Sequence, residues 1–388
     1  MDFELTKDQQ LLKSAVREVM EKEVIPFADE WDKNGQLHDR GHLKKLLNKL
    51  IPLGWIGATL PEETGGQGLD HVSYGIIAEE IGRACVPLAS ILSLIDVGIE
   101  AILLFGTSEQ KEKFLPSLWT CEKISCSANS EPGSGSNPDE IETTAVLNGD
   151  HYVVNGTKIW ITNGSISDLA IITAQTKKKS GRAGICRLIV ERDVSPYEAK
   201  DLPLMGFRAA SPSELVFTDC CVPKENMLIP PGGEGLDALL TAFVAGRINV
   251  ASCSVGVAQA AVDASVRFAK EKHQFGKPIG KYQLIQEMIV DMEAQTQAAR
   301  LLTFKARSMM DRGILCEKEA SIAKLYATEA AVKVTFMALQ IHGTIGISEE
   351  LPLQRYFRDA CCNIFPDGTI QIQKLIAGRD ILGLSAIR

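Results

Sequence analysis

Residues 143–156 read TTAVLNGDHYVVNG. Alternating β-branched residues on either side of Asn148-Gly149-Asp150 predict two antiparallel strands joined by a tight turn, because Asn and Gly accept the positive φ such a turn needs. Asn155-Gly156 repeats the hairpin signal. Further β-rich runs at 169–173, 186–190 and 215–217 extend this reading into a β domain over residues 122–231. Upstream, residues 1–121 read as helical. Leu11, Leu12, Val16, Val19 and Met20 recur at helical spacing within 2–29, and 43–53 continues the pattern. LPEETGGQG (60–68) is a turn-rich loop, followed by helices over 71–85 and 89–105. Past Pro230-Pro231-Gly232-Gly233, long helices over 236–272, 282–312 and 316–342, with another from near Gly368, predict a bundle over 232–388. The fold class is α+β, in the order helical, β, helical.

The formal net charge of −8 leaves no basic surplus for nucleic acid or an anionic membrane. The Lys177–Arg182 run reads as a solvated hairpin tip. The acidic start MDFELTKDQQ is neither a signal nor a transit peptide, which points to the cytoplasm. The apolar stretch 86–106 is interrupted by Asp96 and Glu100; each charge costs about 2.5–3.5 kcal/mol at a bilayer centre, so a buried core helix is expected rather than a span. Ten cysteines without a CxxC pair read as reduced packing residues, and six dispersed histidines predict no metal site. Gly133-Ser134-Gly135-Ser136 is neither GxSxG nor GxGxxG. Gly276-Lys277-Pro278-Ile279-Gly280-Lys281 lacks P-loop spacing.

Four segments carry chemistry when taken together. EPGSGS (131–136) lets backbone N–H groups approach a ligand. KIWITNG (158–164) puts an aromatic ring and a hydroxyl at a strand end. KHQFGKPI (272–279) separates two long helices, and FPDGTIQIQ (365–373) places a carboxylate just before a helix. Singly each has an ordinary explanation: a turn, a core tryptophan, an N-cap.

In this order, with the 60–66 loop, MGFR (205–208), FTDCCVP (217–223), HGTIG (342–346) and Arg358-Asp359-Ala360, the chain resembles the acyl-CoA dehydrogenase family over nearly its whole length. The resemblance implies an N-terminal helical domain, a middle β-barrel and a C-terminal four-helix bundle. It also implies a homotetramer with one FAD per subunit, a CoA-thioester substrate and an electron-transferring flavoprotein as acceptor. Positions matching Ser130, Trp160 and Thr162 contact the flavin. Those matching Lys272, Gln274, Phe275, Gln340, Gly343 and Thr344 cradle the rest of the cofactor, partly from a neighbouring subunit. Thr369 and Gln371 match the last flavin contacts; Ser136, Arg247 and Gly368 match positions on the substrate side. Thr344 stands where many members have a second glycine, and Lys272 replaces the usual arginine, keeping the charge but losing the bidentate fork.

Dehydrogenation needs a base facing Cα and donors for the thioester oxygen as enolate charge develops. The usual base position holds Asp367 where most members have glutamate, one methylene or roughly 1.5 Å longer. The family's second base position aligns with Gly246, so that alternative is absent. Asp96, on the apolar helix that by resemblance floors the acyl pocket, is the other candidate, either as a base or polar recognition group or as a partner of a neighbouring backbone group. Aspartate for glutamate suggests an alicyclic substrate such as cyclohexane-1-carboxyl-CoA or cyclohex-1-ene-1-carboxyl-CoA. Alternatives are a short- or branched-chain or glutaryl-type dehydrogenase, a nitroalkane-oxidase-like oxidase with an aspartate base, and a DNA-associated flavoprotein of the same fold.

Overall fold

A computed structural model describes residues 4–177, 181–232 and 234–386. Residues 178–180 of the basic run, and Gly233 of the Pro-Gly boundary, lie outside them.

The N-terminal part comprises α1 (Lys7–Glu23), α2 (Ala28–Asn34), α3 (Arg40–Leu50), α4 (His71–Ala84), α5 (Val86–Phe105) and α6 (Ser108–Trp119). A Thr6–Gln9 capping box starts α1 by satisfying orphan N–H groups at its first turn. Its apolar stripe is narrower than the sequence suggests: Val16 and Met20 are buried, whereas Leu11 is exposed. Val86–Phe105 and Glu317–Ile347 are both long and apolar enough to cross a bilayer; about half of each is buried inside the fold.

Strands β1 (Ser125–Ala128), β2 (Thr144–Asn148), β3 (His151–Ile161), β4 (Leu169–Gln175), β5 (Ile185–Glu191), β6 (Glu198–Asp201), β7 (Ser213–Pro223) and β8 (Met227–Ile229) form one sheet. Its order is β6-β7-β3-β2-β4-β5-β8, with β1 parallel to β4. Among the described residues its edges β6 and β8 do not pair with each other. One face encloses a core that includes Ala128, Val154, Ile172, Leu188 and Phe217. The Asn148-Gly149-Asp150 turn joins β2 to β3. Asn155-Gly156 is not a hairpin turn. β3 runs straight through it and the register to β7 shifts there, as in a bulge. A Cβ at 156 would stand 2.4 Å from the Thr143 hydroxyl, so this glycine serves close packing.

The C-terminal part holds α7 (Glu234–Glu271), a short hairpin of β9 (His273–Gln274) and β10 (Lys277–Pro278), then α8 (Gln283–Asp311), α9 (Glu317–His342), α10 (Leu353–Cys362) and α11 (Ile370–Leu382). α7 also packs against α4 of the N-terminal part. Gly82 and Gly256 make the approach possible, since a Cβ on Gly82 would lie 2.6 Å from Cys253 Cα and one on Gly256 2.1 Å from the Glu79 carbonyl. That seam forms part of the wall of a cavity lined by Tyr74 and Ile77 of α4 and by Asn249 and Cys253 of α7.

Candidate active site

The loop between α10 and α11 carries Asp367. Its φ of 55° lies in the left-handed region, which is costly for a residue with a Cβ and persists only where surroundings enforce it. The enforcement is visible at the carbonyls. Lys324, on α9, donates its Nζ to the carbonyls of Ile364 and of Gly368, the latter at 2.7 Å. Gln373 Nε2 donates to the carbonyls of Asp367 (2.9 Å) and Gly368 (3.0 Å), and Arg247 Nε reaches the Asp367 carbonyl at 3.5 Å. The N-cap of α11 is Thr369, whose hydroxyl accepts from the Ile372 N–H. Asp367 is therefore not the helix cap, and its carboxylate is free of that ordinary duty.

The Asp367 carboxylate rests against Gly246 on α7, where a Cβ would come within 2.6 Å of Oδ2. Any larger residue at 246 collides with it. Burial raises the Asp367 pKa, and the cations of Lys324 and Arg247 oppose that rise. Lys324 has no exposed surface; burial brings its pKa down to about 8 against the pull of Asp367. Burial likewise lowers the pKa of Arg247, which also lies 3.7 Å from Glu317. Lys324 was absent from the sequence reading, although a signal existed: it shares the buried Ala320-Ala323-Ala327-Ala331 face of α9, an unusual place for a lysine.

Asp96 is not a lone carboxylate. Oδ1 accepts the Gly57 N–H at 2.7 Å and Oδ2 accepts the Tyr74 hydroxyl at 2.9 Å. It ties the 55–60 loop to α4 and α5. Burial pushes its pKa up to about 7, although both hydrogen bonds oppose the shift. One turn before it on α5 begins a cavity of about 20 Å³, walled by Trp55, Tyr74, Leu92, Ser93, Asn249 and Cys253 among others. Asn249 follows Gly246 on α7 by three residues, so the cavity lies about one helical turn from the Asp367 carboxylate.

The candidate cofactor residues fall into two groups. The Ser130 carbonyl accepts from the Ile159 N–H, which brings Ser130 beside Trp160 and Thr162 at the end of β3. Glu131 forms a buried ion pair with Lys158 at 2.7 Å and accepts the N–H groups of Glu142 and Thr143, fixing the loop that leads to the exposed Ser136. Neither Glu131 nor Lys158 was read from the sequence as more than part of a motif. The second group comprises Lys272, Gln274 and Phe275 beyond α7, with Gln340, Gly343 and Thr344 at the end of α9, all exposed. Phe268 stacks on His342 at 4.2 Å and joins the two helix ends. At 1.5 Å per residue this group stands roughly 39 Å from Gly246 along α7 and roughly 24 Å from Lys324 along α9. One chain does not bring it to Asp367. Gln371 is exposed on the first turn of α11.

Trp160 (56% exposed) and Phe275 (94% exposed) both sit at positive φ and present bare rings. Such rings, with the nearby hydroxyls and the open turn at Gly343, fit a large flat cofactor bearing a diphosphate.

Residues 6–122, 126–220 and 233–382 match the N-terminal, middle and C-terminal domains of acyl-CoA dehydrogenase. A probable acyl-CoA dehydrogenase of Bacillus subtilis (strain 168) is 38% identical over 98% of this chain and 100% of its own. The chain belongs to the acyl-CoA dehydrogenase family. The mitochondrial short-chain specific acyl-CoA dehydrogenase of Rattus norvegicus is 37% identical over 98% of this chain and 91% of its own. Butyryl-CoA dehydrogenase from Megasphaera elsdenii superposes with a TM-score of 0.92 at 36% identity, covering 98% of this chain and 100% of the other. Acyl-CoA dehydrogenases are FAD-dependent oxidoreductases acting on the CH–CH group of acyl-CoA, and this chain is one of them.

Proposed function

We propose that this acyl-CoA dehydrogenase uses Asp367 to remove the α-proton of a CoA thioester with a compact acyl group, an alicyclic one such as cyclohexane-1-carboxyl-CoA or cyclohex-1-ene-1-carboxyl-CoA. The observation that carries the reading is the Asp367 loop. A carboxylate held at positive φ, relieved of capping, and flanked by two cations is a preorganised base. The cavity one turn along α7, with room for about one water-sized group, fits the far end of a short acyl group. Aspartate for glutamate draws the carboxylate back by roughly 1.5 Å, which suits a branched Cα held in a ring close to the base.

In this reading the acyl group enters between α4, α5 and α7. The thioester oxygen is held by the backbone N–H of Asp367, and Arg247 keeps the base loop in place while lying toward the CoA arm with Ser136. FAD, when bound, supplies the hydride acceptor. Ser130, Trp160, Thr162, Thr369 and Gln371 hold its ring end. Lys272, Gln274, Phe275, Gln340 and Gly343 of a neighbouring subunit hold the remainder, which the distances along α7 and α9 favour, in a cytoplasmic homotetramer that passes electrons to an electron-transferring flavoprotein. Asp96 positions Tyr74 and the 55–60 loop and takes no proton from substrate.

An anaerobic titration with straight-chain, branched, glutaryl and alicyclic CoA esters tests this. Bleaching of the flavin by alicyclic esters in preference is expected. Equal or better bleaching by butyryl-CoA removes the alicyclic assignment and leaves a short-chain enzyme.

A further inference from the structure

The cavity beside the base has one polar corner in an otherwise mainly apolar wall. Ser93, on α5, and Asn249, on α7, meet there with Asn249 Nδ2 3.2 Å from Ser93 Oγ. Behind them lies Arg307, 1% exposed and with no carboxylate within ion-pair distance among the described residues. It donates from Nη2 to Asn249 Oδ1 (2.7 Å) and to Ser252 Oγ (3.0 Å).

This arrangement fixes which way the asparagine amide faces. A guanidinium only donates, so the atom 2.7 Å from Arg307 must be the carbonyl oxygen, and the NH2 group must face Ser93 and the cavity. One of its two N–H bonds goes to Ser93. The second has no acceptor among the described residues, nor does the Ser93 hydroxyl proton, whereas its neighbour Ser90 donates to the Val86 carbonyl as a helical serine commonly does. The third polar group of the wall, the Tyr74 hydroxyl, has its proton committed to Asp96. Two uncommitted donors therefore line a space of about 20 Å³, enough for about one water-sized group.

We infer that Ser93 and Asn249 form a hydrogen-bond donor pair that selects acyl groups carrying an acceptor oxygen, a carbonyl or hydroxyl, near the end of a compact chain or across a small ring. The inference rests on the dehydrogenase reading above and narrows its substrate class. Asn249 stands three residues beyond Gly246 on α7, a rise of roughly 4.5 Å. An oxygen on the fourth carbon of a pentanoyl group, or opposite the carboxyl-bearing carbon of a cyclohexane ring, stands roughly 3.5–4 Å from Cα, so a hydrogen bond of about 2.9 Å reaches a donor about one helical turn away. Arg307 is a positioning residue: it touches no substrate and acts by holding the amide.

The test compares kcat/KM for two matched pairs, 4-oxopentanoyl-CoA with pentanoyl-CoA and 4-oxocyclohexane-1-carboxyl-CoA with cyclohexane-1-carboxyl-CoA. It does so in the wild type, Ser93→Ala and Asn249→Asp. The keto group's own effect on reactivity is common to all three proteins and cancels when their ratios are compared. Asn249→Asp keeps an oxygen for Arg307 and replaces the donor with a repelling acceptor. The keto-to-plain ratio is expected to fall about 10-fold or more in Asn249→Asp and a few-fold, on the order of 3-fold, in Ser93→Ala. Ser93→Ala leaves Arg307 and its partners intact, so a folding failure of the aspartate variant does not decide the matter. Equal ratios in the wild type and Ser93→Ala, with turnover present, overturn the inference alone. No turnover of any of these esters by the wild type overturns the compact-acyl reading of the proposed function, and this inference with it.

Discussion

Lys324 Nζ lies 2.7 Å from the carbonyl oxygen of Gly368, immediately after Asp367, and it also donates to the Ile364 carbonyl before it. One buried ammonium thus spans the loop that carries Asp367, the proposed base, and supplies a positive charge to its carboxylate. Lys324→Met is expected to lower kcat and to move the acidic limb of the kcat–pH profile upward. The sign follows from the charge: the cation favours the carboxylate, so its loss raises the Asp367 pKa and leaves less base at a given pH. An unchanged limb with reduced kcat assigns Lys324 a purely structural part.

Asp96 bears on stability. Its pKa rises from an ordinary 3.8 to about 7, chiefly through burial. An acid whose folded pKa is raised contributes stability below the unfolded value and loses it as the pH climbs through the folded one. Between about pH 4 and pH 7 this loss is on the order of 2–4 kcal/mol. Urea midpoints for the wild type are expected to decline across that window more steeply than those of Asp96→Asn, which keeps an acceptor for Gly57. Parallel curves contradict the assignment. The same variant is expected to retain far more activity than Asp367→Asn.

The division into helical, β and helical parts was legible because the relevant signals are local: strand alternation around Asn148-Gly149, and helical periodicity before and after it. Asn155-Gly156 misled because the same dipeptide serves a turn and a bulge, and the choice is made by β7 and Thr143, remote in sequence. β1, β6 and β8 were missed because they are four, four and three residues long and gain their order from neighbours in the sheet. Asp367 could be read as a candidate base from its place in a motif. The Lys324 clamp and the Arg307-Asn249-Ser93 corner could not, since each joins helices whose packing the sequence leaves unstated.

Removing one member of the buried Glu131–Lys158 pair leaves the other charge without its counterion. Lys158→Met is expected to cost about 3–5 kcal/mol, read as a lower urea midpoint, and the double variant with Glu131→Gln to recover part of that loss. Burial lowers the Lys158 pKa to about 8, with Glu131 holding it up. A double variant no more stable than Lys158→Met removes the pair from the account of how the 131–136 loop is fixed.

Phe275, almost wholly exposed, has little packing to lose. Phe275→Ala is expected to leave the melting temperature of the flavin-free protein unchanged while weakening FAD retention on dilution. Unaltered retention removes Phe275 from the cofactor site.

Asp367 as the base is tested most directly by anaerobic mixing of wild type and Asp367→Asn with a CoA ester that bleaches the wild-type flavin. The variant is expected to bind the ester, seen as a perturbed flavin spectrum, and to bleach about 10²–10⁴-fold more slowly. Bleaching of Asp367→Asn at the wild-type rate contradicts the assignment and transfers the proton abstraction to another group.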